Sequence, residues 1–204
     1  MENNLTEKDI EVLNKWAEAY DIDELKIKDK EKIFNLEELS ISEEYIPTEV
    51  FKLTNLKKLH IHYYRNTELP REICNLINLE ELSIECCNLK ELPKEVGNLI
   101  NLEKFNINCD NLKQLPKEIC NLTNLKELNI KCKNLNKLPN EICNLNSLEK
   151  LTISSDKLKK IPKKLGDLPN IKEITIIVKK IKKIPKEIYD KVELFNVFET
   201  YKFE

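Results

Sequence analysis

One apolar pattern returns at a fixed interval along this 204-residue chain. Each unit opens with a leucine or isoleucine, and the interval between openings is 23 residues after a first interval of 20. The opening residues are Leu36, Leu56, Leu79, Leu102, Leu125, Leu148, Ile171 and Leu194. A constant period in the twenties is typical of stacked repeats, in which each unit buries its apolar face against its neighbours. The period therefore predicts one elongated domain.

The beginning of each unit predicts a short strand. With the opening residue counted as position 1, positions 4 and 6 are apolar, as Leu128 and Ile130 show, and the residues at positions 5 and 7 are mostly polar. Such alternation over a few residues buries one face of a strand. Because equivalent strands one unit apart run in the same direction, we expect a parallel sheet.

The second half of each unit predicts a short helical return. Proline occupies position 15 in every unit: Pro47, Pro70, Pro93, Pro116, Pro139, Pro162 and Pro185. Its fixed φ and missing N–H suit the start of a short helical or 3-10 segment. Apolar residues at positions 18 and 21, such as Ile119 and Leu122, are expected to point inward from that segment.

These motifs resemble a known family. Leu102-x-x-Phe105-x-Ile107 followed by Leu112-x-x-Leu115-Pro116-x-x-Ile119-x-x-Leu122 is similar to the 23-residue Leu-Pro class of leucine-rich repeats. The resemblance covers roughly residues 22–199. It implies an α/β fold: a right-handed solenoid with a concave parallel sheet, short helical or 3-10 convex segments, and a protein-binding role for the concave face.

The N-terminal residues predict an amphipathic helix over residues 5–20. Thr6 is the expected N-cap, and Asp9 follows three residues later, which approximates a capping box. We interpret residues 1–21 as an N-terminal capping helix, because the first coil of a solenoid exposes apolar surface. A docking role for this helix, which contains the chain's one tryptophan, Trp16, is the alternative.

The remaining chain divides into repeats and a C-terminal cap. Residues 22–193 are expected to form about eight coils, of which the first one or two are irregular. The segment Ile22–Ile27 already carries the opening pattern and is interpreted as a truncated first coil. The aromatic-rich residues 194–204 predict a C-terminal capping strand.

The seven cysteines fall at repeat positions. The family expects asparagine at position 9, but this chain carries it one place later, at Asn88, Asn111 and Asn134. Six of the cysteines occupy two positions of the repeat and should stack in two columns. Position 8 holds Cys86, Cys109 and Cys132, and position 19 holds Cys74, Cys120 and Cys143. We predict that they are structural buried thiols, with the position-8 row standing in place of the asparagine ladder. Disulfide or redox use and a metal site are the alternatives.

Composition favours a cytoplasmic protein. The N-terminus lacks the pattern of a secretory signal, and no apolar run approaches the roughly 18–20 residues that span a bilayer. An odd number of cysteines favours reduced thiols. The net charge of −2 is uneven, because residues 1–50 carry −9 and residues 157–191 carry +8.

The outward-facing residues of the sheet predict a partner-binding face. They are mostly small and polar, which suits a protein or peptide better than an enclosed catalytic pocket. The residues expected to contact the partner are His60, His62, Tyr63, Tyr64, Glu85, Asn106, Asn108, Asn129 and Lys131. A metal site at His60, His62 and Glu85, or a solvated surface without a specific role, is the alternative.

The sequence favours a non-catalytic scaffold or recognition protein. It contains no glycine-rich phosphate loop and no ordered Ser/His/Asp set, so we expect neither an enzyme nor a cofactor or metal. We expect a monomer that binds a protein or peptide rather than a nucleic acid. The alternatives are an anionic-surface or nucleic-acid binder that uses residues 157–191, and a purely structural repeat domain.

Overall fold

The computed structural model describes residues 4–62, 67–179 and 185–191, with residues 189–191 by backbone alone. Within this part of the chain, seven strands form one parallel sheet whose spatial order follows the chain. The strands are β1 Glu38–Ile41, β2 Lys58–His62, β3 Glu81–Glu85, β4 Lys104–Asn108, β5 Glu127–Lys131, β6 Lys150–Ser155 and β7 Glu173–Val178. The parallel sheet predicted from the alternating positions is confirmed.

Neighbouring strands pair at the repeat interval. Leu39 of β1 lies beside Leu59 of β2, a separation of 20 residues. From β2 onward the partners are 23 residues apart, as in Leu82 and Phe105. Equivalent positions therefore stack in columns across the sheet.

Short 3-10 helices form the layer opposite the sheet. Those of the repeating coils cover Thr48–Lys52, Arg71–Asn75, Lys94–Asn98, Lys117–Asn121, Asn140–Asn144, Lys163–Asp167 and Lys186–Lys191. The position-15 proline immediately precedes each of them. Pro116, for example, has φ −63° and ψ 142°, and its carbonyl accepts a hydrogen bond from the Ile119 N–H at 3.2 Å. The fixed φ of proline thus sets the entry to each helical return.

The apolar columns form one continuous core. Leu82, Phe105 and Leu128 are neighbours on adjacent strands, and each is fully buried. Ile119 and Leu122 of the return half belong to the same cluster. Burial of each such side chain stabilises the fold by about 1.5–3 kcal/mol. The coils depend on one another because none can bury its apolar face alone.

Helix α1, Glu7–Tyr20, lies at the N-terminal end. Thr6 Oγ1 accepts from the Asp9 N–H at 3.2 Å, and Asp9 Oδ2 accepts from the Thr6 N–H at 2.8 Å, which completes a capping box. Leu13 and Ala17 of α1 are fully buried in the common core.

An ion pair joins α1 to the repeat that follows. Asp9 Oδ1 lies 2.7 Å from Lys52 Nζ, in the first 3-10 helix of the repeating coils. Burial alone would raise the pKa of the Asp9 carboxyl, but hydrogen bonds from Lys52 and Thr6 outweigh burial and lower it. The carboxylate that caps α1 therefore also anchors it.

The truncated first coil predicted at Ile22–Ile27 lacks a strand. Asp23–Leu25 is a 3-10 helix, and the chain continues into a short helix α2, Lys30–Phe34, before β1 begins. Asn14 of α1 donates its amide to the Ile27 carbonyl at 3.1 Å, so this segment pairs with a side chain rather than with β1. The C-terminal strand predicted at 194–204 lies outside the described residues. Among the described helices, none is both long and apolar enough to cross a bilayer.

Two glycines at position 19 lie close to the backbone of the next coil. A Cβ built on Gly97 would lie 2.3 Å from the Glu118 carbonyl oxygen of the next coil, and one on Gly166 would lie 2.3 Å from the Glu187 carbonyl oxygen. No real Cβ tolerates such a distance without a backbone shift. Glycine therefore permits these coils to approach closely.

Candidate functional site

Polar side chains of the central strands form the floor of the concave face. Asn106 and Asn129, at position 5 of β4 and β5, are half-buried, whereas Asn108 and Lys131, at position 7, are exposed. Asn129 Nδ2 donates to Asn106 Oδ1 at 2.7 Å. Among the described residues, Asn106 Nδ2 and Asn129 Oδ1 have no other partner, so an amide donor and an amide acceptor remain available on this face.

The two histidines lie on β2, beside Glu85 of β3. His62 Nδ1 is 3.3 Å from Glu85 Oε2, and the His60 and His62 rings stack with centroids 6.4 Å apart. The predicted contacts Tyr63 and Tyr64 lie outside the described residues. Within the part of the chain that is described, no group of three or more His, Cys, Asp or Glu side chains could hold a metal ion.

A groove of 420 Å³ lies at the carboxyl ends of the central strands. We call it the concave groove; its lining includes Glu85, Cys87, Asn108, Asp110, Lys131, Lys133, Ser154 and Asp156. Three of the predicted contacts, Glu85, Asn108 and Lys131, are thus brought together. Sequence reasoning did not select Cys87, Asp110, Lys133, Ser154 or Asp156. The available signal was position 9, whose residues alternate in charge along the later coils.

Ion pairs between coils neutralise most of the charge in the concave groove. Lys133 Nζ lies 2.5 Å from Asp110 Oδ2, and Lys179 Nζ lies 2.8 Å from Asp156 Oδ2. Glu85 faces His62. Lys131 has no ion pair with any described residue, and it is the one lysine or arginine on the described floor at positions 5 and 7.

Comparison with known proteins identifies the family. The sequence model of a family described as "Leucine-rich repeat region" matches residues 82–194, more than half of the chain. The chain belongs to the leucine-rich repeat family. No curated protein matches this leucine-rich repeat chain.

Solved structures share the fold. A leucine-rich repeat protein of Leptospira interrogans is 27% identical with a TM-score of 0.61, and the match covers 83% of this chain and 57% of that one. The leucine-rich repeat domain of the type III effector XopL is 20% identical with a TM-score of 0.68, covering 96% and 79%. The plant peptide hormone receptor RGFR1, in complex with RGF2, is 25% identical with a TM-score of 0.53, covering 79% and 30%. This leucine-rich repeat chain thus spans little more than half of the Leptospira chain and less than a third of the receptor chain.

The position-8 thiols of this leucine-rich repeat chain are buried. Cys86, Cys109 and Cys132 are almost fully shielded from solvent. Cys109 Sγ donates a weak hydrogen bond to the Ile84 carbonyl at 3.8 Å, and Cys132 Sγ donates one to the Ile107 carbonyl at 3.9 Å. Burial raises the pKa of the Cys132 thiol to about 12. Such thiols pack as small apolar groups and are poor nucleophiles.

The second column of thiols is only partly buried. Cys120 is buried, and its pKa is raised to about 12, mainly by burial. The expectation of burial is wrong for Cys74 and Cys143, which are partly exposed. Position 19 lies in the 3-10 layer near the convex surface, where shielding depends on the next coil. None of the seven cysteines, all of which lie in the described part of the chain, is in a disulfide bond.

Asparagine ladders satisfy the backbone at both turns of the leucine-rich repeat. At position 10, Asn111 and Asn134 donate their amides to the carbonyls of Cys87 and Asp110 in the preceding coil, each at 2.8 Å. The ladder therefore persists, displaced by one residue from the family position. A second ladder, at the residue before each opening leucine, includes Asn78, Asn101, Asn124 and Asn170. Sequence reasoning missed it, although asparagine returns there at the repeat interval.

Proposed function

We propose that this leucine-rich repeat protein is a non-catalytic recognition module that binds a protein or peptide through its concave face, including the concave groove. The observation that carries the proposal is Lys131, an exposed cation without an ion pair among the described residues, on a floor of hydrogen-bonding side chains. An uncompensated charge in a groove lined by donors and acceptors favours an oriented partner.

The supporting comparison is the plant receptor that resembles the chain in fold. RGFR1 is a peptide hormone receptor that was solved with RGF2 bound. A shallow floor with neutralised charges at its edges fits an extended or folded polypeptide, because backbone N–H and C=O groups can pair with Asn106, Asn108 and Asn129. An acidic group of the partner is expected at Lys131.

The test is affinity capture from the native cell with a triple variant, Asn106→Asp, Asn129→Leu and Lys131→Glu. These side chains lie outside the core, so the free energy of unfolding should change by less than about 1 kcal/mol, while capture is lost. The matched control is Lys117→Glu, an exposed charge reversal on the 3-10 layer. Equal capture by wild type and triple variant would contradict the concave site.

A second candidate function is binding to an anionic surface or nucleic acid. Lys157, Lys159, Lys160, Lys163 and Lys164 are exposed, and none forms an ion pair with a described residue. Phosphate binding through such lysines weakens steeply as salt increases. A gel shift with duplex DNA and single-stranded RNA at low and high salt separates this candidate from the first, because capture by the concave groove should survive at physiological salt.

A further inference from the structure

A second groove lies at the opposite edge of the sheet, where the strands begin. Its volume is 620 Å³, and we call it the edge groove. It is lined by Asn35, Glu37, Asn55, Lys57, Asn78, Glu80, Asn101, Glu103 and Asn124. These residues come from five successive coils, which span about 19 Å at about 4.8 Å per step. An extended segment of about six residues would cover that length.

The charged residues that line the edge groove interrupt the alternation of acidic and basic residues that position 3 shows across the sheet. Position 3 alternates strictly between acid and base across all seven strands, from Glu38 to Glu173. Position 2, which lines the edge groove, alternates except where Glu80 is followed by Glu103. Like charges on adjacent strands destabilise a sheet. Adjacent like charges that bring no structural benefit are typical of functional sites.

Glu80 is the one carboxylate of the edge groove without an ion pair among the described residues, although Lys57 and Lys126 attract it at longer range. Lys57 Nζ is 2.8 Å from Glu37 Oε1, and Lys126 Nζ is 2.8 Å from Glu103 Oε2. Glu80 is exposed and has no ion pair with any described residue. The edge groove therefore keeps a negative charge near its centre that a cation of a partner could neutralise.

The asparagines of the edge groove add a row of acceptors. Asn78, Asn101 and Asn124 use their amide Nδ2 groups on carbonyls of the preceding coil. No described residue donates to their Oδ1 atoms. Since these bonds hold the side chains in place, the acceptors are preorganised for the N–H groups of an extended chain.

Two exposed isoleucines directly precede asparagines of the edge groove in the chain. Ile77 is 43% exposed and Ile100 is 55% exposed, and each directly precedes an asparagine that lines the groove. They occupy the same position in adjacent coils. Phe34, which precedes Asn35, is buried. At the equivalent position of the other described coils the residues are polar or proline: Thr54, Thr123, Asn146 and Pro169.

We propose that the edge groove binds an extended basic segment of a partner protein that also carries aliphatic side chains. A lysine or arginine of the segment pairs with Glu80, backbone N–H groups donate to the asparagine row, and aliphatic side chains cover Ile77 and Ile100. Charge complementarity selects a basic segment, because an acidic one would face Glu80 and Glu103. This site is separate from the concave groove and does not depend on the proposed function.

The test uses fluorescence anisotropy with labelled synthetic decapeptides at low salt. The first contains lysines and isoleucines spaced by serine, the second replaces each lysine with glutamate, and the third replaces each isoleucine with serine. We expect the first to bind, the second to show no binding, and the third to bind about tenfold more weakly. Equal binding of the acidic and basic peptides would overturn the proposal.

Variants of the protein test whether the first peptide binds in the edge groove. Glu80→Lys should abolish binding of the first peptide, and Ile77→Ser with Ile100→Ser should weaken it about tenfold. Glu141→Lys makes the same charge change at an exposed site in the 3-10 layer and should leave affinity unchanged. Lys131→Glu, in the concave groove, should also leave it unchanged, which separates this site from the proposed function. A loss with Glu141→Lys equal to that with Glu80→Lys would overturn the proposal.

Light scattering distinguishes a second copy of the chain as the occupant. A wild-type dimer that dissociates on Glu80→Lys would overturn the proposal in favour of self-association. Wild type and Glu80→Lys should instead have the same mass, and their thermal unfolding should coincide because Glu80 is exposed.

Discussion

The side-chain amide of Asn134 donates to the Asp110 backbone carbonyl of the preceding coil, at 2.8 Å. The same carbonyl also accepts the Asn134 backbone N–H at 3.1 Å, so the side chain adds a second donor at the turn after the strand. This side-chain bond explains how the chain accepts lysine, aspartate and cysteine at position 9, where the family expects asparagine.

Asn134→Ala should destabilise the protein, because it removes one of the two hydrogen bonds that the Asp110 carbonyl accepts. The expected loss is about 0.5–1.5 kcal/mol in the free energy of unfolding. Urea unfolding followed by circular dichroism measures it. Asn136→Ala, two residues later at an exposed position, is the matched control and should change stability by less than about 0.5 kcal/mol. Equal losses would contradict the role of the ladder.

Gly97→Ala should destabilise by overpacking. The added Cβ would approach the Glu118 carbonyl oxygen to 2.3 Å, so the two 3-10 helices must separate. We expect a loss of about 1–3 kcal/mol, measured as a fall in the urea midpoint. Cys74→Ala alters the same position in a coil that already accommodates a Cβ, and its cost should stay below about 1 kcal/mol. If the Gly97→Ala protein were as stable as wild type, the 3-10 helices of the two coils would be able to move apart at no cost, which would contradict the prediction.

Thiol reactivity should follow exposure. Cys87 is exposed, Cys74 and Cys143 are partly exposed, and Cys109 and Cys132 are fully buried. Maleimide labelling of the native protein, with peptide mass spectrometry at timed intervals, should modify Cys87 first. Cys109 and Cys132 should react only after unfolding. Labelling of Cys109 as fast as Cys87 would contradict the buried position-8 column.

Stability should fall in alkaline solution. Burial raises the pKa of the Cys132 thiol to about 12 from an ordinary value of 9.0. The unfolded thiol loses its proton first, so the thiol's contribution to stability is complete below pH 9.0 and is lost as pH rises towards 12. The loss is about 1.4 kcal/mol per pH unit for such a thiol. Cys132→Ala should reduce this slope in urea unfolding; an unchanged slope would assign the decline to other groups.

The register of the sheet could be predicted from the sequence, but the sites could be predicted only in part. Leu39 lies beside Leu59, and Leu82 beside Phe105, because the period fixes which residues stack and burial fixes which face they share. Periodicity does not say which carbonyl lies opposite Asn134. It also does not say how far the next coil covers Cys143, because these contacts depend on the approach of separate coils.

The two grooves also show which features the repeat period predicts and which it does not. Asn108 and Lys131 were predicted because outward positions of a strand follow from alternation. The edge groove was missed because its asparagines and Glu80 belong to a turn, whose side-chain directions no simple period describes. The doubled acidic residue at Glu80 and Glu103 was nevertheless visible as a break in an alternating column.

Each residue of β4 pairs with the residue of β5 that lies one whole repeat unit later in the chain. The number of units can therefore change without a change in how neighbouring strands pair. Duplication or deletion of one complete coil, such as residues 125–147, would move every later residue by one strand and return each buried apolar residue to an apolar neighbour. Insertion of a partial coil would instead slide apolar side chains into solvent. Whole coils can therefore be added to or removed from the concave face in single steps while the interior remains in register.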